Sequence, residues 1–241
     1  GYQIGLAVVN GPVYAGAAAN DTSFKPVWSL RYGRFRLTSS RASLIERDRG
    51  QGVIPGASVE LGEFNRWRFD AALRVDSGRN SADSPRLSGL PDIETTVRGR
   101  LTASYKVTAD TSLDIGLASD LLSRGGGTTL GMDLTRRIEL APGWRWSLGG
   151  GLGLADATYM RSYHGIPPAS AAATGQTAYV PGAGLHDLRL GTGLTWQVAP
   201  NWRLGSMLVL NHLLGPAADS PLTEQASGLT LTLGLVYSGG R

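Results

Sequence analysis

The sequence predicts an all-β chain: a transmembrane antiparallel up-and-down β-barrel of about twelve strands, with short periplasmic turns and long extracellular loops. Three observations carry this. Apolar and polar residues alternate with period two over most of the chain. The links between alternating segments are by turns short and long. Five of the six tryptophans, Trp67, Trp144, Trp146, Trp196 and Trp202, lie beside the short links.

In chain order, 2–10, 24–32, 34–40 and 53–61 are the weaker strand candidates. Trp67, Phe69, Ala71, Leu73 and Val75 then oppose Arg68, Asp70, Arg74 and Asp76. Val97, Leu101, Ala103, Tyr105 and Val107 oppose Arg98, Arg100 and Lys106, and Leu113, Ile115 and Leu117 oppose Asp114 and Asp120. Leu130, Met132, Leu134, Ile138 and Leu140 share a face, as do Trp144, Trp146, Leu148, Leu152 and Leu154. The last three strands are the clearest: Leu188–Val198 interleaves Arg189, Gly191, Gly193, Thr195 and Gln197; Trp202–Leu210 interleaves Arg203, Gly205, Met207 and Val209; Leu229–Tyr237 interleaves Thr230, Thr232, Gly234 and Val236. Successive side chains of a strand point to opposite faces, so every segment has one apolar and one polar wall.

Short turns are expected near 32–34, 62–66, 107–110, 140–143 and 198–201, the last two carrying Ala-Pro-Gly and Ala-Pro-Asn. Long links fall at 11–23, 41–52, 77–93, 158–184 and 214–226, with one of middling length at 122–127. Twelve strands put both termini on the periplasmic side. A soluble barrel also alternates, with its apolar face inward. The aromatic cluster at one end, joined by Tyr32, Phe35 and Phe64, and a polar face rich in glycine and paired charges favour the membrane barrel.

The formal net charge of +4 is spread out, with no basic run, so no nucleic-acid partner is expected. The absence of cysteine excludes disulfides and Cys-based metal or redox sites. No apolar stretch reaches the roughly 18 residues of a membrane helix. Residues 1–241 are expected to form a single outer-membrane barrel domain, with any signal peptide already removed.

Two candidate binding regions follow. The first is the inward charges Arg68, Asp70, Arg74, Arg98, Arg100, Asp114, Arg189 and Arg203. They read either as a cross-strand ion-pair network filling a narrow lumen or as a charged pore for small solutes. The second is the outer-mouth loop with Tyr159, Arg161, Tyr163, His164 and Tyr179. Within it, Pro167-Pro168 before Ala-Ser-Ala-Ala-Ala-Thr and Gly175 after predict one or two helical turns. Such a loop caps the mouth or serves in recognition or gating.

His212 and Ser227 share lipid-facing parity at the outer ends of neighbouring strands, where a hydrolase pair could meet, but no supporting acid accompanies them. His164 and His186 are too sparse for a metal site, and no phosphate loop is present. No cofactor and no catalytic residue are expected.

The stretch from Tyr159 to Leu194, with Met160, Tyr163, Gly165, Ala172, Gly175, Ala178, Tyr179, Ala183, Gly184, Leu185 and Asp187, resembles the MipA/OmpV family of outer-membrane proteins. So does the segment Leu214, Gly215, Ala217, Ala218, Asp219, Ser220 and Pro221. Weaker likeness lies at Pro12, Tyr14, Gly16 and Leu90–Glu94. The resemblance implies a barrel in outer-membrane lipid. It also implies a scaffold that brings a lytic transglycosylase together with a bifunctional penicillin-binding protein; other members are described as porin-like. It carries over no catalytic residues. Barrels of this kind commonly end on an aromatic residue, whereas Ser238-Gly239-Gly240-Arg241 follow Tyr237 here. The expected function is a non-catalytic outer-membrane scaffold, the alternative a narrow passive channel or small-ligand-binding barrel.

Overall fold

The computed structural model describes residues 1–39 and 56–240. Twelve antiparallel strands close into one barrel. They are β1 (Tyr2–Pro12), β2 (Asn20–Tyr32), β3 (Phe35–Thr38), β4 (Gly56–Phe64), β5 (Trp67–Asp76) and β6 (Thr96–Lys106), followed by β7 (Thr111–Asp120), β8 (Thr128–Ala141), β9 (Trp144–Ala155), β10 (Gly184–Ala199), β11 (Trp202–Leu213) and β12 (Ser227–Gly239). Each strand pairs with its sequence neighbours, and β1 closes on β12 from Tyr2↔Gly239 to Asn10↔Leu231. Every strand has a partner strand on both sides, the closure that a lipid environment requires.

Burial is inverted relative to a soluble protein. On β12, Leu229, Leu231, Leu233 and Leu235 are 42–49% exposed on the outer wall, while Thr232 and Val236 on the inner wall are 3% and 0% exposed. The parity of the sequence therefore holds, with the leucine face outward to lipid. Inside, β1, β2 and β12 meet through Ala7, Val27 and Val236 with Met207 against them.

The aromatic residues of the short-turn end are paired across strands. Trp67 lies 4.8 Å from Tyr105, Trp144 stacks on Trp196 at 4.9 Å, and Trp202 meets Tyr237 edge-on at 5.3 Å. These rings form a girdle at one interface. Trp146, on the outer wall, satisfies its indole N–H by donating to Thr192 Oγ1 at 2.8 Å. An unpaired donor there would face hydrocarbon.

Expectations change at three places. The strand candidate at 53–61 runs on to Phe64 among the described residues, which shortens the turn expected at 62–66 to Asn65-Arg66. The link at 11–23 shrinks to 13–19, because β1 and β2 stay paired as far as Pro12↔Asn20. Gly, Pro, Asn and Asp read as loop residues, but the barrel wall extends their ladder. The candidate at 34–40 contracts to Phe35–Thr38, and the link at 41–52 lies outside the described residues.

Candidate functional site

The inner wall places its charges in two groups. On β5 and β6, Arg68 stands 2.9 Å from Asp70 and Arg98 2.7 Å from Asp76. Arg98 also donates to the Gly126 carbonyl. On β10, Arg189 bridges Asp187 at 2.6 Å and Asp133 of β8 at 3.0 Å. Glycines of β9 make room for this cluster. A Cβ at Gly151 would stand 2.0 Å from Asp133 Oδ1, and one at Gly153 2.1 Å from Asp187 Oδ1. Asp114 takes a hydrogen bond from Ser104, and Arg100 donates to Thr102 at 3.3 Å while lying against Gly116. Arg74 sits in register with Arg98, exposed to the lumen. Arg203, buried at the other end, donates to Gln197 at 3.4 Å. The eight predicted lumen residues therefore do not converge on one point. Four of them, Arg68, Asp70, Arg98 and Arg189, take part in ion pairs along the wall, the arrangement in which inward charges offset their desolvation.

The loop at the long-link end forms a lid. Its main element is helix α1 (Ala157–His164), which precedes the helical turns that the sequence predicts between Pro167 and Gly175. Asp156 caps it by accepting from Tyr159 N at 2.7 Å, and Gly165 ends it, its N–H on the Arg161 carbonyl at 3.1 Å. Met160 and His164, one turn apart, form the buried face. Met160 packs with Ala155, Leu213 and Ala217, the last from the short helix α3 (Gly215–Ala218). The predicted helical turns lie beyond: a 3-10 turn at Pro168–Ser170 and helix α2 (Ala171–Thr174), closed by Gly175 at φ +64°. A second apolar cluster, Leu87, Leu90, Ile166 and Leu222, ties three long links together with Tyr14 and Tyr179 against it. Tyr179 pairs with Ile166 through the backbone and donates to the Pro216 carbonyl at 2.9 Å. Tyr14 donates to the Leu222 carbonyl at 3.0 Å; burial and the Glu224 carboxylate push its phenol up to about 12. The segments that carry the sequence resemblance thus pack on one another, down to Ser220 Oγ donating to the His164 carbonyl at 2.6 Å.

The lid meets the wall through a polar relay. Tyr159 and Tyr163 stack at 4.5 Å, and the Arg98 guanidinium lies 5.4 Å from the Tyr159 ring centre. His164 Nε2 and His186 Nε2 are 3.1 Å apart, and His186 Nδ1 is 3.0 Å from Asp187. An ionised carboxylate only accepts, so His186 carries its proton on Nδ1 and accepts at Nε2 from His164. Burial, then His186 and Arg79, push His164 down to about 3, so His164 is neutral. Burial raises the phenols of Tyr159 and Tyr163. Of the predicted loop residues, Tyr159, Tyr163 and His164 face inward and Tyr179 braces the lid. Arg161 stands apart, exposed on the outer surface. A cavity of about 300 Å³ beneath α1 is lined by Arg100, Asp133, Tyr159, His186, Asp187 and Arg189.

Parity alone missed His186. It has the lipid-facing parity of Leu188 and Leu190, but a bulge between Leu185 and Asp187 makes it the extra residue against β9 and turns it to the lid. The His212–Ser227 pair does form, Nδ1 to Oγ at 2.7 Å. Among the described residues no acid engages its imidazole, and no cluster of three metal-ligating side chains occurs.

Among solved structures, the NanC porin superposes with a TM-score of 0.53 at 10% identity, covering 97% of this chain and 100% of its own. The KdgM porin in complex with disordered oligogalacturonate gives 0.49 at 11% identity, with 99% of each chain covered. The loop-L8 deletion mutant of OmpT from Vibrio cholerae gives 0.43 at 6% identity, with 98% of each covered. A search of curated proteins found no match. The family model for the MltA-interacting protein MipA matches residues 4–239, nearly the whole chain, and with the closed twelve-strand barrel this shows that the protein belongs to the MipA family and is an outer-membrane β-barrel.

Proposed function

We propose that this protein is a non-catalytic scaffold of the cell envelope, which holds a murein lytic transglycosylase, and through it a penicillin-binding protein, at the inner surface of the outer membrane. The family description, MltA-interacting, names the partner class. The observation that carries the reading is the lid. Apolar cores from several long links and the Tyr159–His186 contact fasten the outer loops to the wall. Short turns of outer-membrane barrels face the periplasm. The partner-facing surface is then the rim of turns at Gly33-Arg34, Asn65-Arg66, Val107–Asp110, Pro142-Gly143 and Pro200-Asn201. Each turn is too small for the roughly 800 Å² per partner of a stable complex, so the rim acts as one surface.

The second reading, a narrow passive channel, draws on the charged cavity beneath α1. One pair of experiments separates them. A purified MltA-type transglycosylase should bind the detergent-solubilised barrel, and deletion of 166–176 should leave that binding unchanged. Planar-bilayer conductance by the wild type, with no transglycosylase binding, would overturn the scaffold reading in favour of the channel.

A further inference from the structure

Charge is segregated along the barrel axis. Arg31, Arg34 and Arg36 surround the first short turn, Arg66 and Arg68 the second, and Lys106 the third. Arg145 and Arg203 follow at the fourth and fifth. Within two residues of these turns the only carboxylates, among the described residues, are Glu63 and Asp110. Of these eight, Arg68 is buried against Asp70 and Arg203 is buried in the wall, which leaves six cations facing two anions at an end of a chain whose total is only +4. Among the described residues the long-link end reverses the sign. There the exposed described residues include Asp21, Asp83, Asp92, Glu94, Asp219 and Glu224 against Arg86, Arg124 and Arg161. Between the ends, arginines and aspartates pair along the wall. Among the described residues the turn rim therefore has the largest excess of basic residues.

Arg31, Arg34, Arg66 and Lys106 are exposed. They stand on three consecutive hairpins, from β2–β3 to β6–β7, so the positive field is a continuous arc. The exposed rings beside it, Tyr32, Phe35 and Phe64, belong to the lipid girdle, which leaves charge as the recognition element of the rim.

We infer that this basic arc is the docking surface for a protein partner that presents an acidic face, and that association is electrostatically steered. The inference rests on the scaffold reading and deepens it. A ring of spaced cations matches a rigid carboxylate-bearing protein surface laid across several hairpins. Complementary fields of this kind raise the association rate and fall off over a Debye length of about 10 Å at 0.1 M salt.

The test uses the full barrel in neutral detergent and a purified MltA-type lytic transglycosylase. Raising sodium chloride from 50 to 300 mM should weaken binding at least tenfold, mostly through the association rate. The double variant Arg66→Glu/Lys106→Glu should weaken it at least tenfold at 50 mM. Arg86→Glu/Arg161→Glu, the same charge change at the opposite end, should leave it unchanged. Heat-modifiable gel migration reports whether each variant is folded, and Arg66→Lys should bind as wild type. Binding that is indifferent to salt and to the rim reversal would overturn the acidic-face inference while leaving the scaffold standing. Equal loss in both double variants would overturn it too, since net charge alone would then govern. If the rim reversal instead abolished binding to phosphatidylglycerol vesicles or to isolated murein sacculi, with the transglycosylase unaffected, the partner class would be wrong. No transglycosylase binding at any salt would refute the scaffold reading itself.

Discussion

Leu134 and Thr135 are neighbours near the middle of β8, one on each wall of the barrel. Leu134 is 49% exposed on the outer wall and pairs with Leu113 and Gly150. Thr135 points inward between Ser112 and Gly149, two residues from Asp133 and diagonal to Asp114. The two sites differ in depth by about one strand step of 3.4 Å or less. Arginine at the bilayer midplane on the lipid face of a barrel costs about 2–4 kcal/mol. The same side chain at Thr135 has the space above Gly149 and two carboxylates to approach, so its cost should stay below about 1 kcal/mol. Leu134→Arg should therefore be less stable than Thr135→Arg by about 2–3 kcal/mol, roughly 30- to 160-fold in the folding equilibrium. Urea titration of barrels refolded into phosphatidylcholine vesicles, followed by tryptophan fluorescence and gel migration, measures the difference. Equal losses, or a larger loss at Thr135, would refute the assignment of the leucine face to lipid.

The remaining predictions concern the lid. Met160 is fully buried between α1, α3 and the wall, so Met160→Ala should cost the lid about 2–5 kcal/mol and hasten proteolysis within 166–176, while Ala172→Ser, at an exposed site, should not. His164 has a folded pKa depressed to about 3 from 6.5. Its stabilising contribution is full above pH 6.5, falls as the unfolded lid takes up a proton that the folded one refuses, and is lost as pH drops through about 3. The hydrogen-exchange free energy of α1, corrected for the intrinsic rate, should fall between pH 6.5 and 4 by up to about 1.4 kcal/mol per pH unit, and His164→Gln should flatten that slope. A pH-independent exchange free energy in the wild type would show that His164 does not limit opening.

The barrel was legible because its physics is local. A wall between lipid and lumen imposes period two on every strand, and leucines from Leu229 to Leu235 repeat it without interruption. Features set by distant contacts were not legible. Helix α1 has only Asp156 and Gly165 as local signals, and its buried face, Met160 and His164, is defined by residues more than fifty positions away, Leu213, Ala217 and Ser220. His186 follows outward parity until a bulge turns it. The lumen charges were assigned to the right wall, but their partners depended on register: Arg189 finds Asp133 because β9 between them carries Gly151 and Gly153. Arg34, within the strand candidate 34–40, sits instead in the first turn and donates to the Glu60 and Leu61 carbonyls at 2.9 and 2.6 Å, bracing the rim.

The roles of lid and rim depend on which end faces the cell exterior, and the chain contains no cysteine to complicate labelling. Ala172→Cys, exposed on the lid, and Ala109→Cys, exposed in the third short turn, place single thiols at opposite ends. A membrane-impermeant maleimide added to intact cells should label Ala172→Cys at once and reach Ala109→Cys only after the outer membrane is opened. Labelling of Ala109→Cys on intact cells, with Ala172→Cys protected until lysis, would invert the barrel and contradict the placement of the basic rim in the periplasm.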